Sequence, residues 1–208
     1  GSLLAARGET GCSYRAMYPN PTLLQNVIDE NLNDYRAIPY FPFPVINDRH
    51  LTNLFCNLHL TLEQSASRLE RESKFFQAFT YLIARYADCS FNLRRIRQES
   101  KAVMRVREYL EAYFEQDTSL EQLAHLTNLN PSYLVRVFRK EIGLPPHAFQ
   151  TQVRIRRAKA LLLQEQSISE VALAVGFADQ SHLTRHFKRY VGITPGQYRL
   201  KVKNVQDI

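Results

Sequence analysis

The chain has 208 residues, 45% hydrophobic and 23% charged, with a formal net charge of +7. That size suits a globular protein burying one sizeable core or two small ones. No apolar run approaches membrane-spanning length, the opening GSLLAARGETG lacks a secretory pattern, and Cys12, Cys56 and Cys89 form no CxxC pair. Neither a membrane-spanning helix nor a disulfide framework is expected, and cytoplasm is the expected compartment. The basic excess is local: residues 1 to 100 hold 11 Lys/Arg against 10 Asp/Glu, whereas residues 131 to 203 hold 13 against 4. Such a distribution suits a polyanionic partner, nucleic acid or an acidic membrane surface.

In chain order, TLLQNVIDENLN places Leu24, Val27, Ile28 and Leu32 on one side of a helix. After the proline-rich IPYFPFPV, the segment DRHLTNLFCNLHL, capped by Asp48, does the same with Leu51, Leu54, Phe55 and Leu58. Thr61 and Gln64 match a capping box and predict a long helix from there to about Tyr86. Its apolar positions Leu62, Ala66, Leu69, Phe76, Phe79, Ile83 and Tyr86 form a near-heptad seam interrupted at Ser73. The seam either pairs two chains or packs within its own. ADCSFNLRRIRQES, with Arg94, Arg95 and Arg97, reads as a linker over 87–100. KAVMRVREYLEAYFEQD then predicts a supporting helix with Val103, Val106, Leu110 and Tyr113 inward.

From Ser119 the chain repeats itself. SLEQLAHLTNLNPSYLVRVFRKEIGLPP aligns with SISEVALAVGFADQSHLTRHFKRYVGITP, offset by 48 residues through Ala124 and Ala172 and by 49 from Leu134 and Leu183 onward. Each copy reads as a short helix, a tight turn and a longer helix, over 119–142 and 167–191. Ser119 and Ser167 serve as N-caps of the short helices. Asn128 and Gly176 suit the left-handed turn position, and Asn130–Pro131 and Asp179 cap the longer helices. Ala124 and Ala172 are small enough for the two helices of a unit to cross closely. The outer faces of the longer helices mix short hydrogen-bonding side chains with arginine, where a merely solvated face tends toward Glu and Lys. On a helix in a major groove, residues near the N-terminus reach base edges and basic residues further along meet phosphates. Gln suits adenine, Arg suits guanine, and Val can cover a thymine methyl. Between the copies, HAFQTQVRIRRAKALLLQEQ predicts one helix with Ile155, Ala158 and Leu162 on its seam and Arg154, Arg157 and Lys159 among its basic positions. At 1.5 Å per residue, roughly 18 residues make a strut of about 27 Å, near the ~34 Å between successive major grooves.

Residues 101–200 resemble the DNA-binding domain of AraC/XylS-type transcription regulators. The resemblance rests on the repeat and on Ile168, Val171, Ala172, Gly176, Phe177, Ser181, Phe187, Gly192, Thr194, Pro195 and Tyr198 in one frame. It implies a mainly α fold, tandem helix-turn-helix units joined by a linker helix within a domain over 101–208, and sequence-specific binding of double-stranded DNA that regulates transcription. Base contacts then fall on Ser132, Val135 and Arg136 in the first unit and on Gln180, Ser181, Thr184 and Arg185 in the second. Phosphate contacts fall on Arg139, Lys140, Lys188, Arg189 and Arg157. The sequence departs from the family at Asn128, where glycine or alanine is commoner.

The same resemblance covers the front. GCSYRAMYPNPTLL is similar to the closing part of a cupin-type effector barrel, with SYRAMY as a strand. Residues 1–45 are then the C-terminal remnant of an effector-binding domain in a truncated chain; the alternative is an irregular arm. Residues 46–86 become a helical dimerisation region, with Leu62, Leu69, Phe76, Phe79 and Ile83 at the contact. A homodimer, RNA polymerase as a further partner, a small-molecule effector of the complete protein, no membrane and no cofactor are the implied associations.

Two other classes compete. A helical protein-interaction module with a basic face would leave the polar longer-helix faces without a purpose. An enzyme would need a constellation that the chain does not offer. His182 and His186 have the spacing of a two-histidine metal site, but no Glu follows the first and no third ligand stands beside them, so no metal is expected. Cys56 and His59 lie one helix turn apart in a Leu-rich helix, where a buried cysteine outweighs a nucleophile. No phosphate-binding glycine loop occurs, and no glycine at all lies between Ser13 and Ile142.

Overall fold

The computed structural model describes residues 3–7, 13–19, 24, 27, 39–87, 99–164 and 166–206. Among these the chain is mainly α, with nine helices and a single hairpin. It divides into two compact units, residues 1–46 with 79–94 and residues 47–78 with 95–208. In the first, β1 (Leu3–Arg7) pairs antiparallel with β2 (Ser13–Met17), from Leu3 opposite Met17 to Arg7 opposite Ser13. The expected strand is thus present. Of the helix expected around Leu24, only Leu24 and Val27 belong to the described residues, both helical. Ile28, Leu32, Cys12, Cys89 and linker residues Arg94, Arg95 and Arg97 lie outside them.

The second unit opens with α1 (Arg49–Glu63). Asp48 caps it, accepting from the N–H groups of His50 and Leu51 at 2.7 and 3.1 Å. The capping box expected at Thr61 and Gln64 does not form. Thr61 sits in the last turn of α1 with its hydroxyl on the Asn57 carbonyl, and Gln64 ends the helix. The next helix, α2 (Arg68–Tyr86), starts after Ser67, whose hydroxyl accepts from the Glu70 N–H at 3.2 Å. The Ser/Thr-x-x-Glu/Gln pattern occurs twice here, as Thr61 to Gln64 and as Ser67 to Glu70. Only the second copy follows a break in the backbone ladder, so only it can cap.

The residues expected at a dimer contact differ in burial. Leu69, Phe76, Phe79 and Ile83 are at most 7% exposed within one chain, leaving only Leu62, at 41%, with surface to give a partner. Side chains already withdrawn from water gain nothing further by pairing.

The remaining helices are α3 (Ser100–Ala112), α4 (Leu120–Thr127), α5 (Pro131–Ile142), α6 (Pro146–Leu161), α7 (Ile168–Ala174), α8 (Gln180–Val191) and α9 (Pro195–Gln206). Val103, Val106 and Leu110 of α3 are buried as expected, whereas Tyr113 lies past the helix end and is exposed. Ser119 forms a capping box with Gln122 and Ser167 forms one with Glu170. Both turns close the same way: the Leu129 N–H reaches the Ala124 carbonyl at 3.1 Å, and the Phe177 N–H reaches the Ala172 carbonyl at 2.9 Å. This is the six-residue closure of a helix ending in a left-handed residue. That residue is Asn128 in one copy (φ 52°) and Gly176 in the other (φ 85°). Gly176 has a second constraint, since a Cβ there would run into the backbone of Glu115. Asn128 is exposed, so a side chain that tolerates the left-handed region suffices.

The repeat extends beyond the two turns, with α6 shared between them. At its start, Gln150 donates to the carbonyls of Phe114 and Gln116 at 3.3 and 3.2 Å, closing the end of α3. In the second copy Arg199 of α9 donates to the carbonyls of Leu162 and Gln166 at 3.0 and 2.6 Å, closing the end of α6. Ile155, Ala158 and Leu162 join Val171, Ala172, Val175, Phe177, Leu183 and Phe187 in one core, as the seam predicts.

Arg154 corrects the reading of α6 as a basic rod. It is 3% exposed and donates to the Phe114 and Gln116 carbonyls at 2.6 and 2.8 Å, and burial pushes its guanidinium down to about 10. Three residues of helical spacing separate it from Arg157, which is exposed with its guanidinium 5.4 Å from the Phe114 ring. Arg154→Met is expected to cost about 1–3 kcal/mol, because Gln150 alone then serves two buried carbonyls. Urea denaturation of the two proteins measures the difference.

Candidate nucleic-acid interface

The two longer helices, α5 and α8, have equivalent frames. Asn130 accepts from the Ser132 N–H at 2.9 Å with Pro131 in the first turn, and Asp179 accepts from the His182 N–H at 2.7 Å. Left-handed Gly143 and Gly192 end them. Just before each glycine stands a basic pair, Arg139–Lys140 and Lys188–Arg189, all four exposed. Cations in a last helical turn answer the negative end of the helix dipole.

The expected base-reading positions fare differently in the two copies. In α8, Gln180, Ser181 and Arg185 are exposed and Thr184 is half-buried, on the side opposite Leu183 and Phe187. In α5, Ser132 and Val135 are only 2% and 6% exposed, and Arg136 is half-buried with its guanidinium 5.6 Å from the Tyr133 ring. This differs from the expectation of an open face. Part of the reason is local: Glu99, just ahead of α3, is bound to α5. The Glu99 N–H donates to the Glu141 carboxylate at 2.9 Å, and the Tyr133 hydroxyl donates to the Glu99 carboxylate at 3.4 Å.

Helix α8 is also held, by the elbow between α1 and α2. The Ser65 hydroxyl donates to Asp179 at 2.8 Å, and Arg185 donates a short hydrogen bond to the Ser65 carbonyl. The His182 N–H and the Ser65 hydroxyl hold the Asp179 carboxyl below the usual range. Next to this clasp, Glu70 of α2 faces the inner side of α8. Its carboxylate lies 3.6 Å from His186 Nε2 and 4.0 Å from His182 Nε2. Burial opposes ionisation of Glu70, but Lys74, at 2.7 Å, outweighs it and holds the carboxyl below its ordinary value. Burial pushes His182 and His186 down to about 4, so both imidazoles are neutral near pH 7. Other cross-links join the same elements: Glu72 accepts from the Leu120 N–H at 2.6 Å, and the Arg68 N–H donates to Asp117 at 3.2 Å.

None of these partners was legible in the sequence. Ser65 and Asp179 are 114 positions apart, Ser65 and Glu72 carry no motif that singles them out, and the pattern at Glu70 points to Ser67, not to the histidines. Cys56 is exposed rather than buried, and His59 turns away to Glu63, 2.9 Å distant.

Comparison with known proteins agrees with this architecture. A family model described as a helix-turn-helix domain matches residues 123–201, and one described as an AraC-like ligand binding domain matches residues 3–79. The uncharacterized HTH-type transcriptional regulator YbfI of Bacillus subtilis is 33% identical over 170 residues, covering 82% of this chain and 61% of that protein. The HTH-type transcriptional regulator MtrA of Neisseria gonorrhoeae is 38% identical over 87 residues, 41% of this chain and 29% of its own. The solved C-terminal domain of AraT, a response regulator from Geobacillus stearothermophilus, is 34% identical with a TM-score of 0.47, covering 52% of this chain and 88% of that one. The chain thus spans less than two thirds of the length of these curated relatives. The ligand-binding match precedes the helix-turn-helix match, so the effector-type region is the N-terminal one, and it reaches past the expected residues 1–45 to residue 79. The chain thus carries an AraC-like ligand-binding match ahead of a helix-turn-helix match, the arrangement that its resemblance to AraC/XylS-type transcription regulators implies.

Proposed function

We propose that the chain binds double-stranded DNA sequence-specifically, laying α5 and α8 in successive major grooves, and so regulates transcription. One observation carries this reading: two helix-turn-helix units with the same caps, the same left-handed corner and the same terminal basic pair share the single helix α6. At 16 residues, α6 is about 24 Å long, so the two units are braced at groove-like separation. Gln180, Ser181, Thr184 and Arg185 read bases in the second unit, and Ser132, Val135 and Arg136 do so in the first once its enclosing contacts open. Arg139, Lys140, Arg157, Lys188 and Arg189 meet phosphates.

Arg185 must exchange the Ser65 carbonyl for a base edge, and this ties DNA reading to the α1–α2 elbow. The elbow lies within the stretch similar to an AraC-like ligand-binding domain, so a small-molecule effector of the complete protein has a route to the reading helix. Contact with RNA polymerase and homodimer formation complete the proposal. Self-association then uses exposed side chains such as Leu62 instead of the buried seam.

Two substitutions separate the roles. Arg185→Ala is expected to weaken a specific site by about 1–3 kcal/mol and relax preference at one base pair, whereas Lys188→Ala weakens all sequences alike. Binding of both variants to a selected site and to random duplex tests this. Equal losses on the two DNAs for both variants would reject the assignment.

A further inference from the structure

Two histidines four apart on a helix can hold a metal ion only if the fold brings another ligand to them, and here it does. We propose that Glu70, His182 and His186 form a binding site for a divalent transition metal of the zinc class, joining α2 to the inner face of α8. One nitrogen from each histidine and one oxygen of Glu70 lie within 4.8 Å of one another. Two of the separations, 3.6 and 4.0 Å, are close to the roughly 3.4 Å expected between ligands of a tetrahedral ion at bond lengths of about 2.0–2.1 Å. Small side-chain rotations close the remainder.

Four further observations favour an ion. Both Nε2 atoms lie near Glu70 but beyond hydrogen-bond reach, so a cation between them would engage three groups that make no hydrogen bond to one another. The imidazoles are 2% and 7% exposed, and His182 Nδ1 is buried without a hydrogen-bond partner. The ligands are pre-positioned. Phe177 packs against both rings, with centroids at 5.1 and 5.8 Å, while Lys74 holds the other Glu70 oxygen at 2.7 Å and donates to Thr61 at 2.6 Å. Outer contacts of this kind orient metal ligands. Finally, a cleft of about 160 Å³ bordered by Glu70 and His186 opens beside the cluster, several times the roughly 30 Å³ of a water molecule. It has room for a water as fourth ligand; Lys74, Arg185 and Arg189 also line it, so the ion enters against their charge. Two nitrogens and a single carboxylate favour zinc and its neighbours over magnesium or calcium, which prefer all-oxygen shells.

The test uses the full chain without an affinity tag, with Co(II) as a spectroscopic probe. The expected result is one equivalent of Co(II) bound with the visible absorption of four-coordinate nitrogen and oxygen ligation, displaced by Zn(II), and a higher Tm with either ion. Glu70→Gln and His186→Gln are each expected to weaken binding about a hundredfold, the upper end of what losing even a supporting partner costs. Because His186 is buried, its variant is scored only if its helical circular dichroism matches wild type; Glu70→Gln keeps the volume and an acceptor for Lys74. Absence of a stoichiometric Co(II) spectrum in the folded wild-type protein would overturn the proposal. So would wild-type affinity in Glu70→Gln, which would place any bound ion elsewhere.

Discussion

Replacing Gly176 by alanine is expected to destabilise the chain by roughly 2–5 kcal/mol. Two independent penalties add. At φ 85° an L side chain occupies the left-handed region, which costs roughly 1–2 kcal/mol. The new Cβ also meets the backbone of Glu115, which cannot rotate away as a side chain would, and forced overpacking costs about 1–3 kcal/mol more. Glu115 lies between the two carbonyls that Gln150 and Arg154 bind, so relief by moving the α3–α4 connection would break those contacts. Gly143 and Gly192 supply the control. Both have positive φ but open space where a Cβ would stand, so alanine there pays only the backbone term. Thermal unfolding should show a fall in Tm on the order of 10 °C for Gly176→Ala and a markedly smaller one for Gly143→Ala. Equal shifts would mean that the contact with Glu115 is not tight.

Affinity for duplex DNA is expected to fall on the order of a thousandfold between 50 and 200 mM salt. The estimate takes about six phosphates neutralised, each releasing condensed counterion. Arg139, Lys140, Lys188, Arg189 and Arg157 are exposed and account for five of these. Arg154 does not count, since its charge is spent on carbonyls inside the domain. Fluorescence anisotropy of a labelled duplex across this salt range gives the slope directly. A slope near zero would favour a helical module whose basic face meets no polyanion.

What the sequence made legible was whatever repeats or is local. Caps at Ser119, Asn130, Ser167 and Asp179 act through the next two or three residues, and the 48-residue offset exposed the paired corners at Asn128 and Gly176. The departure at Asn128 has a simple cause: its position is open, whereas that of Gly176 is closed by Glu115. Local patterns failed where two readings were equally local, as at Thr61 and Ser67. Periodicity marked Leu69, Phe76, Phe79 and Ile83 as apolar without saying what covers them. Charge counting placed Arg154 and Arg157 together, although one turn of helix separates core from solvent. The clasp of Ser65 on Asp179 and Arg185, and Glu70 beside His182 and His186, join distant parts of the chain through single side chains. No periodic or motif signal encodes such pairs.

The claim on which the rest depends is that two reading helices braced by α6 engage neighbouring grooves of one duplex. Selection of bound sites from a random DNA pool tests it most directly. The account predicts enriched sites made of two short elements whose centres lie about 10 base pairs, one helical turn, apart, with Arg185→Ala altering one element only. Recovery of a single element with no fixed neighbour, or of no enriched sequence at all, would contradict it.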